Sequence, residues 1–395
     1  MRILPKRGGA IATLDQERRE SGTRRFQAAN LRFKQPVCHS ANPKEFTMPS
    51  KTHPRLKVAA VQAAPVFLDL DGTIDKTVDL MAQAASEGVQ LIAFPETWVP
   101  GYPWWIWLDS PAWGMQYVQR YHDNSLVVGS AEFDRIRDAA RKHKLWVSLG
   151  YSEKAAGSLY IAQALIDDQG NVLQTRRKLK PTHVERTVFG EGDGSDLSVV
   201  ETPIGNIGSL SCWEHLQPLS KYAMYSQNEQ IHCGAWPSFS LYRGAAYALG
   251  AEVNNAASQV YAAEGQCFVV APCAVVSKAM REMLCTDPGK QQMLLAGGGF
   301  ARIYGPDGSP LGTNLPEDQE GLVMADIDLG MISLAKAAGD PAGHYSRPDV
   351  TRLWLNKARR EPVVVQGESD TEIVWPEGLA PQPEPLPIAR PTATV

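Results

Sequence analysis

Short apolar runs alternating with helical patterns constrain this chain more than any other feature. LKVAAVQA (56–63) leads into a helical pattern over 75–87, and VQLIAF (89–94) follows. A second helix is predicted over 131–144, with LWVSLG (145–150) directly behind it. That order specifies an α/β fold. LYIAQALID, the turn DDQGN and VLQTRR read as a strand–turn–strand hairpin, and so do LSVVE, PIGN and NIGSLS. Adjacent antiparallel strands make the sheets mixed. Further on, the sequence predicts a helix over 244–258, the strand CFVVA (267–271) and a hairpin turning at GPDG (305–308).

The two ends differ from this middle. Residues 1–52 are a basic extension, with ten Lys/Arg against four Asp/Glu in the first fifty positions and no sustained apolar period, so disorder is expected there. Asp15, Glu17 and Glu20 fit poorly with a transit peptide. Met48 directly precedes the first foldable strand, which favours an extension read from an upstream start codon. Residues 356–395 are proline-rich and expected to form a flexible tail. One folded domain over 53–355 lies between.

Composition and spacing exclude several classes. With 44% hydrophobic and 21% charged residues, the chain of 395 can bury a sizeable core. No stretch reaches the roughly 18 uncharged apolar residues of a membrane helix, since TWVPGYPWWIWL holds two prolines and stops at Asp109. A net charge of −4, without a basic stripe interleaved with aromatics, points to small-molecule partners rather than nucleic acid. Cys38, Cys212, Cys233, Cys267, Cys273 and Cys285 are irregularly spaced and follow no signal peptide, so they read as reduced thiols of a cytoplasmic protein. Cys212 with His215, and His232 with Cys233, lack the second half of a metal site. His183-Val184-Glu185 lacks the P-C-x-x-C of a zinc deaminase, because Val276 stands where its second cysteine belongs. Gly190, Gly192 and Gly194 have the wrong spacing for a phosphate cradle, and no G-x-S-x-G elbow occurs.

Three reactive residue types fall at strand ends: Glu96 past VQLIAF, Lys178 after VLQTRR, and Cys212 after NIGSLS. Ligands of α/β folds gather beyond the carboxyl ends of strands, so three segments can converge there. Singly, each has a plain role: Glu96 as a solvated loop acid, Lys178 as one charge of RRKLK, Cys212 as a small buried hydrophobe. Cys267 and Cys273 flank an apolar strand and read as core, while Cys233 lies close in sequence to the expected pocket wall. His183 and His215 read as structural histidines.

The motifs around the three residues are FPETWVPGYPWW, RRKLKPTHVER with FGEGDGSDL, and LSCWEH. With PSF at 237–239 and HYSRPD at 344–349, they resemble the nitrilase branch of the carbon–nitrogen hydrolase (nitrilase) superfamily, in order, from about Lys57 to about Leu353. The resemblance implies a four-layer αββα sandwich with mixed sheets. It assigns Glu96 as general base, Lys178 as catalytic lysine, Cys212 as nucleophile and Glu185 as a second acid beside the lysine. It also implies no metal, no cofactor, and a homo-oligomer built on dimers and extended into larger or spiral assemblies. RRKLKPTHVER, SKYAMYSQNEQIHCGAWPSF and GHYSRPDV are similar in texture to bacterial arylacetonitrilases, which implies nitriles such as phenylacetonitrile or mandelonitrile.

Nitrile hydrolysis suits these residue types. A nitrile carbon is a weak electrophile that needs a thiolate, and a free cysteine with pKa near 8.5 is only a few per cent ionised at neutral pH. Lys178 and a helix starting near Leu216 to Leu219 are therefore expected to lower the Cys212 pKa. Glu96 would accept the thiol proton, and Lys178 with the Trp213 backbone N–H would hold the charge of the tetrahedral intermediate. Tyr102, Trp213 and Trp236 are expected to line the substrate pocket, whereas Trp104, Trp105, Trp107 and Phe239 read as core or subunit interface. An amidase of the same superfamily, a cyanide hydratase or dihydratase, an aliphatic nitrilase and a non-catalytic member remain as alternatives.

Overall fold

The computed structural model describes residues 53–360; the basic extension and residues 361–395 of the expected tail lie outside them. From Arg55 the chain runs through β1 (Arg55–Ala63), α1 (Leu70–Ser86), β2 (Leu91–Ala93), α2 (Pro111–Asp123), α3 (Ala131–His143), β3 (Trp146–Ala155), β4 (Ser158–Ile166) and β5 (Val172–Arg177). It continues with β6 (Ile207–Ser211), α4 (Pro218–Tyr225), β7 (Ile231–Ala235), α5 (Ala251–Gly265), β8 (Phe268–Ala271) and β9 (Cys273–Ala274). Last come α6 (Lys278–Leu284), α7 (Pro288–Met293), β10 (Arg302–Tyr304), β11 (Pro310–Leu311), β12 (Gly321–Asp328) and α8 (Met331–Ala338). One sheet has the order β12-β1-β2-β3-β4-β5, with β9 also paired to β1, and the other runs β11-β10-β8-β7-β6. Both mix parallel and antiparallel pairs.

β1 shows why its apolar run is unbroken. Successive side chains of a strand point to opposite faces. Val58 and Ala60 enter the core between the sheets, with Leu210 of β6 and Val269 of β8. Ala59 and Val61 enter a second core, with Ile74 and Met81 of α1 and Phe133 and Ile136 of α3. On the far side, Tyr261 of α5 stacks on His232 of β7 at 3.8 Å. The layers are thus helix, sheet, sheet, helix, the four-layer αββα sandwich. No helix among the described residues is long and apolar enough to cross a membrane.

Local chemistry moves some boundaries. α1 begins at Leu70 rather than 75 because the Asp69 carboxylate accepts the Gly72 N–H at 2.9 Å and caps a turn whose Leu70 and Ile74 pack on the core. α5 starts seven residues later than the sequence predicts, since Gly250 caps it and Tyr242 and Gly244 take positive φ in the preceding loop. The hairpins at DDQGN and GPDG form. The one expected at PIGN is reduced to a single antiparallel bridge between Val200 and Ile207 on the outer edge of β6, whose other edge pairs along its length with β7.

Candidate active site

Glu96 lies three residues past β2, Lys178 directly follows β5, and Cys212 directly follows β6. Two of these strands belong to one sheet and the third to the other, so the residues meet across the sandwich. Lys178 Nζ donates to Glu96 Oε1 and to Glu185 Oε2, each at 2.8 Å. Ligating atoms of Glu96, Glu185 and Cys212 lie within 4.8 Å of one another. Those atom types can bind a divalent ion, but the Lys178 ammonium already bridges the two carboxylates and would have to leave first. All four side chains are buried.

Backbone strain collects on the same segments. Thr97, His183 and Cys212 have φ of +45°, +47° and +49°, a region that costs a side-chain-bearing residue about 1–3 kcal/mol and persists where its surroundings dictate it. His183 opens a 3-10 turn, His183–Thr187, in which the Glu185 carboxylate accepts the Thr182 N–H at 2.6 Å. Tyr102 Oη donates to the other Glu185 oxygen at 2.8 Å and accepts from Trp107 Nε1 at 3.1 Å. Glu185 is therefore fully held. Glu96 is not: its backbone N–H donates to the Trp236 carbonyl at 3.3 Å, yet its buried Oε2 has no partner among the described residues.

A second buried pair braces the first group. Arg176 donates to both oxygens of Glu214, at 2.8 and 3.0 Å, and to Gln163 Oε1 at 2.8 Å. Glu214 also accepts the backbone N–H of Leu179, beside Lys178, at 2.9 Å and that of Ser211, beside Cys212, at 2.8 Å. One carboxylate thus ties the two reactive strand ends together. Neither Arg176 nor Glu214 was singled out by sequence, although Glu214 stands three residues past Ser211 in capping-box spacing.

Electrostatics at the site oppose one expectation. Burial pushes the Glu96 carboxyl up to about 8, helped by Glu185 and opposed by Lys178. Burial works against the Lys178 ammonium, but Glu185 and Glu96 hold its pKa well above the usual range. The Cys212 thiol is pushed well above its usual value, first by burial and then by Glu96, against the pull of Lys178 and the Trp213 N–H. The predicted lowering does not occur, because one ammonium cannot offset desolvation beside two carboxylates. α4 begins at Pro218, within the expected range, but a 3-10 turn over Cys212–Leu216 intervenes before it.

An aromatic pocket lies over Cys212, with about 440 Å3 of space between atoms, part of it open to solvent. Tyr102, Trp213 and Trp236 line it as expected, and Trp104, Trp107 and Phe239 line it as well. The sequence misplaced Trp104 and Trp107 because they sit in a 3-10 turn, Trp104–Trp107, where residues three apart share a face. Trp105 points elsewhere and packs on Tyr121 at 5.0 Å. Trp213 and Trp236 direct their indole N–H groups to Asn254 and Ser258, which leaves apolar ring surface for a ligand. His183 stacks on Trp107 at 5.4 Å. Cys233 is no part of the wall: it is buried in β7, its carbonyl accepting from Gln163.

The sequence profile of the family described as Carbon-nitrogen hydrolase matches residues 57–337. A nitrilase of Pseudomonas syringae pv. syringae is 67% identical over 301 residues, 76% of this chain and 90% of that protein. An arylacetone-specific nitrilase of Alcaligenes faecalis is 52% identical over 87% of this chain and 95% of its own. An aliphatic nitrilase of Rhodococcus rhodochrous is 52% identical over 78% of this chain and 84% of its own. Among solved structures, a carbon-nitrogen hydrolase of Helicobacter pylori shares the fold with a TM-score of 0.59 at 17% identity, covering 75% of this chain and 96% of that one. With a profile match over most of its length and curated relatives this similar, the chain belongs to the carbon–nitrogen hydrolase family, on its nitrilase branch.

Proposed function

We propose that the protein is a nitrilase that converts a nitrile and two waters to a carboxylic acid and ammonia through a Cys212 thioimidate and thioester. The observation that carries this reading is the buried cluster of Cys212, Glu96 and Glu185 around the Lys178 ammonium, at the foot of an aromatic pocket. Glu96, its carboxyl pushed up to about 8 and its Oε2 without a partner among the described residues, takes the Cys212 proton when ionised, as sulfur attacks the nitrile carbon, and passes it to the nitrile nitrogen. The thiolate exists only during attack, which fits a thiol held protonated at rest. Glu96 then deprotonates a water that adds to the thioimidate carbon. Lys178 and the Trp213 N–H hold the charge that develops. Protonated nitrogen leaves as ammonia, and a second water, again deprotonated by Glu96, frees the acid and returns the thiol. Glu185, held by Tyr102 and Thr182, keeps Lys178 charged and aimed.

The substrate class we propose is an arylacetonitrile. The ring faces of Trp104, Trp107, Trp213 and Trp236 favour an aryl group, each well-placed aromatic contact adding about 0.5–1.5 kcal/mol beyond area burial. Equal identity to an arylacetone-specific and an aliphatic relative makes the test a substrate panel. Ammonia release at equal low concentration should be fastest from phenylacetonitrile or mandelonitrile, weaker from benzonitrile and slowest from cyanide and short alkyl nitriles. A short alkyl nitrile or cyanide in first place overturns the aryl assignment. Release from amides alone makes the protein an amidase.

The five cysteines among the described residues, all unpaired and buried, support a cytoplasmic setting. Exposed Leu216, Leu219 and Val260 on and beside α4 and α5 support a homo-oligomer, which light scattering would measure.

A further inference from the structure

Four buried side chains form an unbroken hydrogen-bonded chain that begins on the backbone of Cys212 and has no part in the steps above. His215 Nδ1 lies 2.6 Å from the Cys212 carbonyl oxygen, and His215 Nε2 lies 2.9 Å from His232 Nε2. His232 Nδ1 is 2.7 Å from Glu229 Oε1, and Tyr261 Oη donates to Glu229 Oε2 at 2.6 Å. None of the four is more than 2% exposed.

Proton counting settles how the chain is wired. A carbonyl can only accept, so His215 Nδ1 carries a proton and donates it. Each of the other two gaps, Nε2 to Nε2 and Nδ1 to carboxyl, also needs one proton. Two neutral imidazoles and a carboxylate supply two; the third makes the chain electrically neutral, as full burial favours. Burial pushes His215 well below the usual histidine range, with His232 adding to the effect, so the third proton does not make His215 a cation. Wherever it sits, His215 keeps its Nδ1 proton on the Cys212 carbonyl. The strands leave space for this arrangement: a Cβ at Gly234 would come 2.8 Å from His215 Nε2, and one at Gly208 would come 2.0 Å from Glu229 Oε1.

In a trans peptide the C=O and N–H point in opposite directions. Holding the Cys212 carbonyl on His215 therefore turns the Trp213 N–H the other way, and that N–H acts on the Cys212 thiol, drawing its pKa down. We infer that the His215–His232–Glu229–Tyr261 chain locks the Cys212–Trp213 peptide so that the Trp213 N–H is aimed at the charge that develops on the substrate. His215 is then a positioning residue, stacked on Trp236 at 4.9 Å and out of contact with substrate. The inference rests on the proposed roles of Cys212 and the Trp213 N–H.

The test compares His215→Phe, His215→Asn and Tyr261→Phe on phenylacetonitrile. Phe keeps the ring that stacks on Trp236 and removes the donor. Asn places its Nδ2 where Nδ1 of histidine stands and restores it. Removing one preorganised donor costs about 10²–10³ in kcat, so a mis-aimed one should cost at least about thirtyfold in kcat, with KM within about threefold. His215→Asn should recover most of that loss, and Tyr261→Phe should lower kcat about threefold at unchanged KM. His215→Phe with kcat within twofold of the parent, or His215→Asn as poor as His215→Phe, overturns the inference. Should His215→Phe fail to fold, Tyr261→Phe decides: an unchanged kcat overturns it. A parent protein that releases no ammonia from any nitrile sinks the proposed function instead, so the two failures are distinguishable.

Discussion

Two carboxylates in this molecule, Glu214 and Glu96, are both buried and shift in opposite directions. Glu214 receives four donors: two from Arg176 and the backbone N–H groups of Leu179 and Ser211. Burial raises its pKa, but Arg176 and those amides more than reverse the effect, so Glu214 is held below the usual range. Glu96 shares one ammonium with Glu185, has one oxygen without a partner among the described residues, and is pushed up to about 8. The number of donors, not the depth of burial, separates a brace from a base. A satisfied carboxylate resists protonation and fixes geometry, whereas an under-satisfied one is ready to take a proton.

The sharpest break removes the atom the reactive cluster serves. Cys212→Ala should show no measurable turnover while its melting temperature stays within a few degrees, because the thiol forms the covalent bond and fills little space. Mass spectrometry of the parent should place a trapped substrate adduct on Cys212; an adduct on Cys233, Cys267 or Cys273 would sink the assignment.

Parallel amide substitutions then test the comparison itself. Glu96→Gln should cost about 10²–10⁴ in turnover, the range of a lost general base, with no fall in melting temperature. Since the folded pKa of Glu96 is raised, its stabilising contribution is complete below the ordinary carboxylate range and disappears as pH rises through about 8. Above that pH the Gln variant should melt higher than the parent. Glu214→Gln should do the reverse and lower the melting point markedly, since breaking a buried pair costs about 3–5 kcal/mol. Equal stability losses in the two variants would erase the distinction between brace and base.

Glu185→Gln is expected to lose at least about a hundredfold in turnover, comparable with loss of one preorganised electrostatic group. A loss under about threefold returns Glu185 to an ordinary ion-pair role. The mildest prediction concerns pH. Glu96 must be ionised to accept the thiol proton, so kcat/KM should fall about tenfold per unit as pH drops below about 8, with an apparent pKa that belongs to the coupled cluster. A break in the ordinary carboxylate range would show that Glu96 has the donors that Glu214 has.

Much of the site was legible because it lies at punctuation marks in the sequence. Glu96, Lys178 and Cys212 each lie just past the end of a strand, and Glu185 sits in a motif beside the lysine. In the run RRK only Lys178 carried an assignment, yet strand alternation sends both Arg176 and Lys178 between the sheets and Arg177 to the ring of Tyr160, 3.7 Å away. Period two could have shown that. Trp104 and Trp107 needed knowledge of a 3-10 turn, and nothing local showed that the hairpin at PIGN would close on one bridge only.

Sequence by itself determined the α/β class, the reactive residue types and the strand ends that carry them, because apolar period and turn chemistry act over a few residues. Only the tertiary structure decided that Arg176 meets Glu214, that His215 reaches His232 and Glu229, and that one carboxylate is satisfied while another is not. Arg176 and Glu214 lie 38 residues apart on strand ends of two different sheets, and His215 and His232 lie 17 apart. Which strand faces which across a sandwich is set by packing of the whole core, so the donors around each buried oxygen, and with them its proton affinity, follow from the complete fold.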